Sequence, residues 1–169
     1  MKGTGNQHVL IYKVRHKNIK YKSDREVIIQ FSAFSTDNEL ILLLNYPHQQ
    51  LNLSRDHYYD ESYELVIGGE DEHGTSWLSL FDRNNKLKER VQSASTPHIL
   101  SHEELRSFWI RLRYKKLKNS SDILDDTLFL EFGQGSSDMT SVMSWPVGRN
   151  FVLRHIGLKQ IPGNNVNIR

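Results

Sequence analysis

Apolar residues in this chain recur at every second position far more often than at every third or fourth. Val27, Ile29, Phe31 and Ala33 alternate with Gln30 and Ser32, the period of two of a strand with one buried face. Phe108, Ile110, Leu112 and Tyr114 alternate with Arg111, Arg113 and Lys115, and Leu128, Leu130 and Phe132 flank Glu131 in the same way. Further strand-like runs lie at 9–14, 39–46, 62–67, 76–81 and 151–156. Turn formers separate them: Thr36-Asp37-Asn38, Gly68-Gly69, Arg83-Asn84-Asn85, Gly133-Gln134-Gly135 and the stretch 146–150. No segment of a dozen residues keeps a helical stripe. The one helix-start signature, Ser101 with Glu104, stands too close to Trp109 for more than a turn or two.

Many short strands with frequent turns predict an all-β protein, a single antiparallel β-sandwich of jelly-roll or lectin-like type. Residues 1–24 read as an N-terminal strand and basic lead-in, 25–161 as the sandwich core, and 162–169, rich in Asn and Gly, as a mobile tail. Residues 119–126, crowded with Ser and Asp, read as a solvated loop. Strand alternation also assigns faces: Phe108 joins Ile110 and Leu112 in the core, and Trp109 projects to the other side beside the arginines.

Composition narrows the classes. The chain has 169 residues, 37% of them hydrophobic and 10% aromatic, enough for one folded core and too much for a disordered chain. Its longest apolar run, Leu40 to Leu44, is strand-sized, against the roughly 20 residues a bilayer-spanning helix needs. Twenty-two Lys and Arg against 20 Asp and Glu leave a formal charge of +2, no global instruction to bind nucleic acid. The absence of Cys excludes a disulfide scaffold, a thiol nucleophile and any cysteine-ligated metal. Met1 to Asn6 is polar, with no apolar core of a signal peptide behind it. A cytoplasmic protein is therefore expected if the chain is complete, and an extracellular one if it is a module cut from a longer protein.

Candidate chemistry is sparse. Glu131-Phe132-Gly133-Gln134-Gly135 after an apolar strand has the look of a nucleotide or S-adenosylmethionine loop. However, 136–143 has no helical stripe, and too little chain follows for a doubly wound sheet. A glycine-bearing turn between antiparallel strands is the preferred reading. Glu70, Asp71, Glu72 and His73 follow Gly68-Gly69 and could hold Ca²⁺ with hard oxygen ligands, although consecutive acids cannot all face one ion and a solvated hairpin loop is preferred. None of the eight histidines forms H-E-x-x-H, and no nucleophile elbow accompanies the Ser, His and Asp residues. Catalytic residues are therefore not assigned. Arg111, Arg113, Lys115, Lys116 and Lys118 make a basic stripe, and Lys13, Arg15, His16, Lys17, Lys20 and Lys22 a second cluster. The stripe fits a sulfated glycan or a phosphate-bearing partner. The blander reading, a solvated face on an edge strand, is preferred. Asn52-Leu53-Ser54 and Asn119-Ser120-Ser121 are glycosylation sequons that chance alone explains.

Three segments in order resemble the farnesoic acid O-methyltransferase-like domain. The first is Tyr63-Glu64-Leu65-Val66-Ile67-Gly68-Gly69 followed by Thr75-Ser76. The second is Ile99-Leu100-Ser101 with Phe108-Trp109-Ile110. The third comprises Phe132-Gly133-Gln134-Gly135, Trp145 and the stretch 152–157, and upstream 28–44 is similar to the family's strand–turn–strand with Asp37 in the turn. The resemblance covers about 27–158. It implies methyl transfer to farnesoic acid by name, and equally a module within larger animal proteins. The residues themselves point to a non-enzymatic sandwich that binds a glycan, a lipid-like ligand or a protein partner through turn loops at one edge. The candidates are Asp37, Asn38, Glu70, Asp71, His73 and Trp77, with Arg111 and Arg113 on the basic face. A farnesoic acid methyltransferase and a structural spacer are the alternatives. No cofactor is expected apart from possible Ca²⁺ at the Glu70 to His73 loop.

Overall fold

The structure, a computed structural model, describes residues 9–13, 26–35, 39–45, 61–69, 74–81, 86–118, 124–148, 151–159 and 166–168. These residues hold eleven strands and no helix: β1 (Val9–Lys13), β2 (Glu26–Ser35), β3 (Leu40–Leu44), β4 (Ser62–Ile67), β5 (Thr75–Phe81), β6 (Leu87–Ser95), β7 (Arg106–Lys118), β8 (Leu124–Gln134), β9 (Met143–Pro146), β10 (His155–Lys159) and β11 (Val166–Ile168). One sheet runs β1-β10-β3-β4-β5-β6 and the other β11-β2-β7-β8-β9. Every pairing is antiparallel. The expected all-β sandwich is the observed architecture.

Alternation builds the core. Leu40, Leu42, Leu44 and Leu65 from the six-stranded sheet meet Phe108, Ile110, Leu130 and Phe132 from the five-stranded sheet. Phe108 is fully buried, its ring 5.6 Å from Phe31 and 6.0 Å from Phe132. A gap of about 10 Å³ between the sheets is lined by Leu44, Leu65, Leu78, Ile110 and Leu130 among others, room for one water at most. β3 is buried at every position, because Ile41 and Leu43 form a second apolar cluster on the outer face with Val66 and Trp77.

Several elements depart from the apolar pattern. β6 reads LKERVQSAS and is largely exposed, an edge strand with too few apolar residues to announce itself. β9 has only four residues, and β11 lies inside the 162–169 stretch that reads as a tail, yet pairs with β2. The β7–β8 ladder runs on to Lys118 opposite Leu124, so Asp125 and Asp126 belong to a strand and not to the expected loop. Ser101 Oγ accepts from the amides of Glu103 (3.2 Å) and Glu104 (3.0 Å). This is the hydrogen bonding of a helix cap, used here to close a turn.

β10 begins four residues later than the apolar run at 151–156 suggests, and Asn45 is the reason. It ends β3 at φ 55° with its side chain buried. Its Nδ2 donates to Val152 O (2.7 Å), and its Oδ1 accepts from Arg154 N (2.8 Å) and His155 N (3.3 Å). Its own amide donates to His155 O at 3.0 Å. One side chain thereby bonds three backbone groups of the irregular stretch that leads into β10.

Two stability outcomes follow, both read from urea unfolding. Asn45→Ala removes three side-chain hydrogen bonds to backbone groups and places a Cβ-bearing residue without a local hydrogen bond at positive φ, and should cost about 2–4 kcal/mol. Phe108→Ala should cost about 3–5 kcal/mol, whereas a loss below about 1 kcal/mol would place Phe108 outside the core.

Candidate functional site

The outer face of the five-stranded sheet collects the charged chemistry. β7 and β8 pair so that Trp109 stands opposite Gly133, Arg111 opposite Glu131 and Arg113 opposite Phe129, and β9 sets Ser144 opposite Glu131. Glu131 is 0% exposed although, among the described residues, no second sheet covers this face. Its Oε2 accepts from Arg111 Nε at 2.7 Å and lies 2.9 Å from Arg113 Nε. Its Oε1 accepts from Arg113 Nη2 and Ser144 Oγ, both at 3.3 Å, and makes an ion pair with Lys115 Nζ. Burial alone would push the Glu131 carboxyl up, but the hydrogen bonds and charges of Lys115 and Arg111 outweigh it and hold it below the ordinary value of 4.5.

Arg111 is engaged through Nε, Nη1 and the face of its guanidinium. Its Nη1 donates to Ser137 O (3.0 Å), its Nε is 3.3 Å from Glu26, and its guanidinium lies 4.6 Å above the Trp109 ring. Trp109 is flattened onto β8: a Cβ at Gly133 would sit 2.2 Å from its Cζ2. Two buried side-chain nitrogens among the described residues make no hydrogen bond, Trp109 Nε1 and Arg113 Nε, the latter remaining in ionic contact with Glu131. Toward the other end of β7 an open depression of about 520 Å³ is lined by Gln30, Phe31, Ser32, Ser107, Phe108, Gly135 and Ser136. Gly135 N, at φ 82°, donates to Ser107 O at 2.8 Å, and Gln30 Nε2 reaches Ser137 Oγ at 3.2 Å. The segment after β8 is thus tied back across β2 and β7.

Of the residues singled out from the sequence, the three that are described do not all converge. Arg111 and Arg113 meet at Glu131, whereas Trp77 lies on the outer face of the other sheet, packed on Ile41, Leu43 and Val66 under Arg90 at 4.2 Å. Asp37, Asn38, Glu70, Asp71 and His73 lie outside the described residues. So does the Ca²⁺ candidate loop, and among the described residues no group of three or more His, Asp or Glu could hold a metal ion. The edge-strand reading of the basic stripe is overturned. β7 is flanked by β2 and β8, and Arg111 is buried rather than solvated. Glu131 and Ser144 are the members that residue-by-residue reading missed. Their signal is an isolated acid in an apolar strand, which needs cations at alternate positions of its neighbour.

The lowered carboxyl has a pH consequence. A group whose folded pKa is depressed stabilises the fold above its unfolded value, and that contribution disappears as pH falls through the folded value. Glu131 should therefore contribute fully above about pH 4.5 and progressively less on acidification. Glu131→Gln should lower stability at pH 7 by about 3–5 kcal/mol, since three cations lose their buried counter-charge. The variant should also show a shallower further loss between pH 5 and pH 3 than the parent, read from urea midpoints across that range.

No curated protein and no solved structure matches the chain. The model of the family described as farnesoic acid O-methyl transferase matches residues 6–161, a span that takes in β1 to β10 and both outer-face tryptophans. The chain belongs to the farnesoic acid O-methyl transferase family.

Proposed function

We propose that the chain is a non-enzymatic recognition module, and that among a glycan, a lipid-like ligand and a protein partner the ligand it takes is a glycan. The observation that carries this reading is the depression over β2 and β7, whose lining includes Gln30, Ser32, Ser107 and Ser136. Neutral donors and acceptors at fixed strand spacing match the hydroxyls of a sugar better than an alkyl chain or a charged peptide. Ser32 and Ser107 face each other across the ladder, so little side-chain freedom is lost when they bind. The gap of about 10 Å³ between the sheets has no room for a farnesyl chain.

Methyl transfer is the second reading, favoured by the family match. Against it stand the uses to which the Gly-x-Gly residues are put. Gly133 accommodates the Trp109 ring and Gly135 turns the chain at positive φ. Neither opens a helix whose N-terminus could receive a cofactor.

One set of titrations separates the two readings. A glycan array should identify a neutral oligosaccharide, and Ser107→Val should abolish its binding while leaving the melting temperature within about a degree, as a surface strand substitution does. S-adenosylmethionine and farnesoic acid, each to millimolar concentration, should leave the melting temperature unmoved. A dose-dependent upward shift with S-adenosylmethionine, lost in Gly135→Val, would restore the methyltransferase.

A further inference from the structure

We infer that a sulfate or phosphate monoester binds at Arg113 and Lys115 on the outer face of the five-stranded sheet, above the Glu131 carboxylate. Three cations, Arg111, Arg113 and Lys115, stand against two carboxylates, Glu131 and Glu26, which leaves one positive charge unmatched. That surplus is not shared evenly. Arg111 has a side chain 9% exposed and spends its guanidinium on Glu131, Glu26, Ser137 O and the Trp109 ring. Arg113 and Lys115 are 38% and 31% exposed, so the unmatched charge faces solvent through them.

Their geometry is held from below. Arg113 Nη2 and Lys115 Nζ both touch the same oxygen, Glu131 Oε1, so the guanidinium and the ammonium stand side by side. Ser144 Oγ lies 3.3 Å from Lys115 Nζ and itself bonds Oε1, and Lys115 lies 4.7 Å over the Phe129 ring. Arg113 Nη1 makes no hydrogen bond among the described residues. A tetrahedral oxyanion can offer one oxygen to that nitrogen and another to the ammonium, in charge-assisted bonds about twice as strong as neutral ones. A carboxylate on a ligand would merely repeat Glu131. A nucleic acid backbone asks for a longer run of free cations than this pair supplies. Beside the pair, Phe129 and Pro146 face each other in register on the same outer face, an apolar shelf for the ring that bears the ester. A phosphorylated or sulfated monosaccharide therefore fits both halves of the surface.

This site is distinct from the neutral depression, and the experiment keeps them apart. Glucose, glucose 6-phosphate and glucose 6-sulfate are titrated into the isotope-labelled protein at fixed ionic strength, followed by amide chemical shifts. One or both esters should bind at least about tenfold tighter than glucose, moving the Arg113, Lys115 and Ser144 amides first. The tighter of the two identifies the source of the oxyanion. Lys115→Gln and Arg113→Gln should each weaken the ester about fivefold to tenfold, while Lys88→Gln on β6 changes nothing. Arg113→Gln removes a partner of a buried acid, so Lys115→Gln, which leaves both arginines on Glu131, decides the matter if the first variant is unfolded. Ser107→Val should leave ester binding intact, so that failure of the glycan reading does not carry this one with it. Equal losses in Lys88→Gln and Lys115→Gln, or esters no tighter than glucose, would overturn the proposal.

Discussion

The Glu131 carboxylate is shut away from water on a sheet face that no second sheet among the described residues covers, and an unpaired charge there would cost several kcal/mol, comparable with the whole margin of a domain of this size. Its neutralisation constrains everything around it. The three cations that surround it occupy alternate positions of β7, and that alternation is the reason Phe108, Ile110 and Leu112 face inward. A slip of one residue between β7 and β8 would drive Arg111 and Arg113 into the core and leave Glu131 bare. Register, face assignment and the polar surface are therefore one arrangement, and its energetic centre is a residue on β8 rather than any of the basic residues on β7. Glu131 also explains why Arg111 differs from Arg113. The former is pinned between Trp109, Glu26 and Ser137, and the latter keeps a free edge toward solvent.

A second device recurs on both outer faces. Trp109 lies on Gly133 with Arg111 above it, and Trp77 lies on Gly69 with Arg90 above it. In each case a Cβ on the glycine would come within 2.2 Å or less of the indole, 2.2 Å at Gly133 and 2.0 Å at Gly69, so only glycine permits the ring to lie flat. The arginine then covers the face of the indole that would otherwise meet water. These stacks stabilise outer faces that no further sheet among the described residues covers. They also account for the Gly-Gly and Gly-x-Gly stretches, which read as turns from the sequence and in which Gly69 and Gly133 act in the fold as seats for aromatic rings. Gly68 and Gly135 add the positive φ values that turn the chain at the ends of β4 and β8.

Much of the fold was legible because β2, β7 and β8 each turn an alternating apolar set toward the core. β4 begins and ends where its apolar run does. What escaped was structure whose cause is not local. β6 is an edge strand with little to bury, β9 and β11 are too short to show a period, and β10 starts late because Asn45, more than a hundred residues away, holds 152–155 in an irregular path. The site was half legible for the same reason. Alternation put Arg111 and Arg113 on one face, but nothing in their own strand says that β7 is central or that an acid stands opposite. The buried pairing belongs to the β7–β8 register, which a one-dimensional pattern does not contain. Trp77 seemed a loop-edge contact and instead helps close the outer face of the opposite sheet.

The location of the candidate chemistry bears on the binding proposed for it. Recognition through turn loops pays an ordering cost whenever the loops are free to move. The depression and the Arg113–Lys115 pair are instead built mainly on the paired strands β2, β7, β8 and β9, where backbone hydrogen bonds already fix the spacing of each side chain. Arg113 and Lys115 lose still less, because Glu131 holds both long side chains in place before any ligand arrives. The same contact sets a limit: each cation is already partly neutralised, so its pull on an anion is weaker than that of a free lysine or arginine. Preorganisation and partial neutralisation oppose each other, and their balance favours selectivity over raw affinity. A diffuse polyanion gains nothing from the fixed spacing, whereas a single tetrahedral ester on a ring that fits Phe129 and Pro146 gains from both the spacing and the shelf.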